Sequence, residues 1–357
     1  MTETSPAAVS DITVEKTEHI KGIAVILLMW HHLFGIVDSV SWVSPLKGLD
    51  IIIGSSAKIC IALFLFCSGY GLYHSFISKE RPPKSYILKK AVKTVIPYWI
   101  SMLVAIICLA ILGRFDPKYL LNNVFCWILD ENLYVSFAWY IKIYLLLLLV
   151  LPLIRMIESK WKKNILIDTV IYIVLPFIIY YFFQDYMDES QFINIPHTLF
   201  SSFLFFIFLF PLFSIGMIFA KYGLYNKIRK LSEKIPKAII ITISVLICGY
   251  VIYLRYLFFY NCIADVAYGT FFTISAMLIF DNSKIKSRYV IPYLGRKSIS
   301  YWLLSSMFFQ NTKELQFLIT WPHLSVLILI WTLVLLTPFV FCCDWISNKL
   351  FKLLFRE

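Results

Sequence analysis

The chain has 357 residues, 60% of them hydrophobic and 15% charged, with a formal net charge of +12. About half apolar content is already ordinary for a soluble domain, so this composition excludes a soluble protein and indicates an integral membrane protein. The basic excess follows the segments between apolar stretches and does not point to a nucleic-acid partner.

Apolar stretches of about 20 residues, enough helix to cross a bilayer, recur ten times: 20–38, 52–77, 88–112, 136–154, 164–183, 198–220, 236–254, 257–280, 290–309 and 323–348. Backbone in lipid must satisfy its own hydrogen bonds, and no strand-like alternation is visible. The expected fold is an all-α membrane protein, a bundle of about ten transmembrane helices. Alternate connecting segments hold 26 of the 33 Lys and Arg residues, which by the positive-inside rule places both termini in the cytoplasm. The opposite loops carry acids, among them Asp38, Asp50, Asp116, Asp130, Glu131, Asp185, Asp188, Glu189 and Glu314. The expected organisation is a tail at 1–17, one membrane domain at 18–348 and a tail at 349–357. The first residues lack the basic region of a cleaved signal peptide. Eight cysteines lack C-x-x-C spacing, so neither a disulfide framework nor a metal site is expected.

In chain order, the first candidates lie in "EHIKGIAVILLMWHHLF". Lys21 and His32 are eleven residues apart, close to three helical turns, so they share a face and stand about 16 Å apart along the axis. His31 points about 100° away. Glu18, one turn before Lys21, is expected to pair with it. Ionisable groups inside a membrane span are site candidates by default. The helix "ALFLFCSGYGLY" brings Ser68 and Tyr70, the basic "SYILKKAVKTVIPYW" brings Lys89, Lys90 and Lys93, "FAWYIKIYLLLLLVLPLI" brings Trp139, and "LGRKSISYWLLSSMF" brings Ser298. Lys58, Lys142 and Asp265 also fall within apolar spans, and Asp265 is expected to pair with one of the two lysines.

These segments, in this order, resemble the acyltransferase-3 family, multi-pass membrane enzymes that acylate sugars of bacterial envelope polysaccharides and related acceptors. The family's opening pattern of an acid, a base, ten residues and a histidine falls on Glu18, Lys21 and His32, with lysine in place of the commoner arginine. A late histidine of the family falls on Ser305, a departure. The resemblance implies acyl transfer, acetyl first, from acetyl-CoA as co-substrate to a sugar hydroxyl in the bacterial cytoplasmic membrane, with no bound cofactor. It implies His32 as general base with Glu18 beside it, and Lys21, Lys89, Lys90 and Lys93 as the acyl-CoA-binding cations. His31, Ser68, Tyr70, Trp139 and Ser298 are then supporting residues, and glycan-assembly enzymes are implied partners. A polysaccharide flippase or transporter, or a membrane glycan polymerase, is the alternative reading of the same composition.

Overall fold

The computed structural model describes residues 12–35, 47–125, 134–135, 138–160, 164–183, 199–258, 264–283, 289–306 and 316–356. Asp38, Asp130, Glu131, Asp185, Asp188, Glu189, Glu314, Cys126 and Cys262 lie outside them. The described chain is helical, and no strand occurs among those residues. Helix α1 (Val14–Trp30) widens into a π turn at His31–Gly35; α2 (Lys47–Ser56) runs through a 3-10 turn into α3 (Cys60–Leu72), which ends in a second π turn, Tyr73–Ile77. Next come α4 (Tyr86–Ile111), α5 (Leu120–Phe125), α6 (Trp139–Lys160), α7 (Ile165–Thr169), α8 (Leu175–Phe183), α9 (Leu199–Tyr222), α10 (Leu224–Ser232) and α11 (Lys237–Leu257). The series ends with α12 (Asp265–Asn282), α13 (Val290–Arg296), α14 (Ser298–Ser306), α15 (Gln316–Thr320) and α16 (Ser325–Phe355).

Among the described residues, seven helical segments are long and apolar enough to cross a membrane: Lys47–Ile77, Tyr86–Ile111, Trp139–Lys160, Ile165–Phe183, Phe203–Tyr222, Lys237–Leu257 and Ser325–Phe355. The other three predicted spans differ in build. The stretch 20–38 begins as helix at Val14 and carries four charges in its first turns. Within the stretch 257–280, α11 ends at Leu257 and α12 begins at Asp265, and 290–309 breaks at Lys297 into α13 and α14. At the C-terminus, α16 continues to Phe355, so most of the expected tail is helix. Proline sits inside α4, α6, α9 and α16, as membrane helices tolerate when neighbours satisfy the freed carbonyls.

Polar residues stop and pin these helices at one end of the bundle. Thr13 caps α1 by accepting from the Lys16 N–H, and Asn164 caps α7 by accepting from Leu166 and Ile167. The Lys16 ammonium meets the Asp281 carboxylate at 2.8 Å, and the Tyr225 hydroxyl donates to the same oxygen. Arg155 donates to the carbonyls of Lys79 and Glu80. Lys221, predicted as a loop cation, is buried between Glu158 at 2.7 Å and Asp168 at 2.5 Å. The predicted basic segments thus converge on one end. Inside, α3 and α9 cross at backbone contact: a Cβ on Gly69 would stand 1.9 Å from the Phe213 carbonyl oxygen, and one on Gly216 2.1 Å from that of Phe66. Glycine is the residue that lets membrane helices approach so closely. Leu149 on α6 and Leu246 on α11 are 68% and 65% exposed, the outward apolar surface expected of helices that face lipid.

Candidate active site

At the basic end, Glu18 does not pair with Lys21. Its carboxylate accepts from the Arg296 guanidinium at 2.9 Å. Next to Arg296, Gly295 lies against the Glu18 backbone so tightly that a Cβ would stand 1.9 Å from the Glu18 carbonyl oxygen. The "LGRKS" segment therefore docks on the start of α1, and its glycine and arginine do the docking. The sequence had supplied both partners but not their contact.

Lys21 instead lies within electrostatic range of Lys90 on α4, which is also within range of Lys93. Lys90 and Lys93, three residues apart, share a helix face. The Lys90 ammonium stands 5.7 Å from the centre of the Tyr86 ring. Among the described residues, no carboxylate forms an ion pair with Lys21, Lys90 or Lys93. Lys89 belongs elsewhere: its ammonium lies 5.3 Å above the Phe355 ring at the end of α16. Three of the four predicted cations are brought together and one is not. A small apolar cavity between α1, α3 and α12 is lined by residues including Ile20, Phe66, Cys67 and Tyr70, and by none of the four lysines.

All but the last two of the steps from Lys21 to His32 are α-helical; the π turn begins at His31. π turns inside α-helices occur frequently at functional sites. His32 is 5% exposed. Its ring centre is 5.7 Å from that of His31, tilted by 45°. His31 turns to a neighbouring helix, and its Nδ1 donates to the Gly54 carbonyl on α2 at 2.8 Å, which fixes the proton on that nitrogen because a carbonyl can only accept. The two helices touch through glycine on both sides, since a Cβ on Gly35 would lie 2.3 Å from the Gly54 oxygen. The histidines thus have different settings. One braces α2, and the other is buried one position further along.

Of the supporting candidates, Tyr70 is buried and its hydroxyl oxygen accepts from the Ile12 N–H at 2.9 Å, anchoring the approach to α1. The Ser68 hydroxyl donates back to the Phe64 carbonyl within α3. Trp139 opens α6 and packs edge-on against Phe205 and Trp302. Ser298 is the first residue of α14, after the break at Lys297, whose ammonium meets Asp344 of α16 at 2.5 Å.

Arg255 falls between the apolar stretches 236–254 and 257–280, where a connecting segment is expected, and the expected partner of Asp265 is Lys58 or Lys142. The structure puts Arg255 inside α11 with a fully buried side chain, bound bidentately to Asp265 at 2.6 and 3.2 Å. Lys58 is within electrostatic range of Asp265 and His31, and Arg255 is within range of His31. The available signal was an arginine and an aspartate ten residues apart in an otherwise apolar stretch. A buried charge is tolerable only when paired, and these two are near in sequence.

Among the described residues, no group of three His, Cys, Asp or Glu side chains is placed to hold a metal ion, and Cys60, Cys67, Cys108, Cys248, Cys342 and Cys343 are free. A family model for an acyltransferase domain, that of the acyltransferase-3 family, matches residues 16–347. No curated protein matches the chain, and no solved structure does.

Proposed function

The chain belongs to the acyltransferase-3 family, and from that premise we propose that it moves an acyl group, acetyl first, from an acyl-CoA on the cytoplasmic side to a hydroxyl of an envelope or exopolysaccharide sugar. It is a membrane acyltransferase; the donor, the acceptor and the base are the proposal. The observation that carries it is the arrangement on α1. Cations without carboxylate partners gather at its foot, and a buried histidine stands about three turns above, a spacing that helical periodicity puts on the same face.

Lys21, Lys90 and Lys93 supply point charges for the phosphates of coenzyme A. The separation along the axis, about 16 Å, is left for the pantetheine arm to cross. At the thioester, His32 takes the proton of the sugar hydroxyl as that oxygen attacks the carbonyl carbon. The new C–O bond forms, the C–S bond breaks, and the departing thiolate takes the proton back from the imidazolium. An imidazole suits both transfers because its ordinary pKa lies near neutrality. Glu18 holds α13 through Arg296 and so positions the foot of the site. Placing the basic end in the cytoplasm and the acceptor on the far side belongs to the same reading. Mass spectrometry of envelope glycans from bacterial cells with and without the gene tests it. The reading expects ester-linked acetyl groups to vanish with the gene, and an unchanged acylation pattern would contradict it.

A further inference from the structure

We propose that Asp50 is an acceptor-binding residue, whose carboxylate receives hydrogen bonds from sugar hydroxyls and turns the acceptor toward His32. The inference rests on the acyl-transfer reading above and adds the residue that holds its second substrate.

Asp50 sits in the first turn of α2 and is 2% exposed. Its Oδ2 is buried and has no hydrogen-bond partner. Among the described residues no cation forms an ion pair with it. Asp50 stands one helical turn before Gly54, so the two lie on one face of α2. That face meets the π turn of α1, where Gly54 touches Gly35 and receives the His31 Nδ1 bond. The Trp30 indole nitrogen, one residue before the histidines, donates to the Asp50 backbone carbonyl at 3.2 Å. The Asp50 backbone is therefore tied to Trp30 just before the π turn, and Asp50 stands one helical turn from the Gly54 that His31 bonds, toward the opposite end of α1 from Lys21.

A buried carboxylate oxygen without a donor is costly, because burial removes water without supplying a replacement. Glycine contacts and a tryptophan bond fix its backbone, so the side chain cannot leave without disturbing the crossing. A sugar supplies the missing groups: its hydroxyls are donors, and a carboxylate accepts from two neighbouring hydroxyls at once. Holding the hydroxyls next to the reacting one orients the nucleophile, which is the contribution expected of a substrate-positioning contact. The chemical class is a sugar with adjacent free hydroxyls.

The test uses the full chain in lipid nanodiscs, radiolabelled acetyl-CoA as donor, and envelope polysaccharide extracted from cells lacking the gene and stripped of esters as acceptor. Asp50→Asn keeps the shape and removes the charge. It should raise the KM for polysaccharide about 10- to 100-fold, the loss expected for a hydrogen bond to a charged group, with the KM for acetyl-CoA within about two-fold. Asp50→Glu should recover part of the loss. His32→Ala should instead lower kcat with little change in polysaccharide KM. If the two KM values rise together in Asp50→Asn, or neither moves, Asp50 is a structural acid and the proposal fails. No transfer by the unsubstituted protein would overturn the acyl-transfer reading itself, and the proposal with it.

Discussion

At the scale of single residues, charges that look alike in sequence have separate tasks. Lys89 and Lys90 are neighbours, yet one ammonium sits over Phe355 and the other joins Lys21 and Lys93. Lys90→Gln should therefore raise the acetyl-CoA KM about tenfold, equivalent to about 1.4 kcal/mol, whereas Lys89→Gln should change it by less than about two-fold. Equal effects, read by initial rates at varied acetyl-CoA, would show that the cluster is only topological. Glu18 and Arg296 behave as one unit: if the carboxylate works through its ion pair, Glu18→Gln and Arg296→Gln should have matching effects on rate. Their coupling in a double-mutant cycle on stability should be about 1 kcal/mol or less, because the pair is partly exposed. A large rate loss from Glu18→Gln alone would instead put the carboxylate on the substrate. Arg255 and Asp265 are a different kind of pair. Removing one partner strands a buried charge, which costs about 3–5 kcal/mol. Asp265→Leu should sharply lower the melting temperature in detergent, and the double change Arg255→Leu with Asp265→Leu should recover most of it. A double variant as unstable as the single one would show that the charges serve more than each other.

At the scale of elements, the π turn His31–Gly35 and its glycine contact with α2 separate the two histidines. A Cβ on Gly54 would stand 2.5 Å from the Gly35 nitrogen, and forcing extra volume into a packed crossing costs about 1–3 kcal/mol. Gly54→Ala should displace α2, lower the melting temperature accordingly and reduce transfer, whereas Gly71→Ala, where a Cβ meets nothing, should leave both unchanged. Transfer and melting at parental levels in Gly54→Ala would show that the crossing has slack. The helices themselves were legible in the sequence wherever one apolar run met one charged boundary, as in α4, α6 and α11. The readings missed where packing decides. A single run, 290–309, breaks at Lys297, which bonds Asp344 of α16, and that partner is 47 residues away. The buried setting of Arg255 was illegible for a similar reason: in a hydropathy pattern a charge marks a loop, and only its carboxylate partner shows otherwise.

At the scale of the whole molecule, the bias of Lys and Arg toward alternate segments is the outline of one basic end, where α1, α3, α4, α6, α9, α10, α12 and α16 are tied together. The family was legible from short segments in a fixed order, because that order is carried by the chain itself, and the match across residues 16–347 agrees. The site was legible in part. The shared face of Lys21 and His32 follows from helical periodicity alone, whereas the Glu18–Arg296 contact and the exclusion of Lys89 depend on how distant helices dock. The central claim is that the histidine on the face of Lys21 does the chemistry and its neighbour braces α2. The most direct measurement is acetyl transfer from radiolabelled acetyl-CoA to de-esterified envelope polysaccharide by the reconstituted protein and two variants. His32→Ala should lower kcat about 10²–10⁴-fold, the usual loss on removing a general base, in protein that inserts and melts normally. His31→Ala should retain measurable activity and show its main effect on stability, through the lost bond to Gly54. If His32→Ala transfers at near the parental rate, or His31→Ala alone is inactive, the account is contradicted.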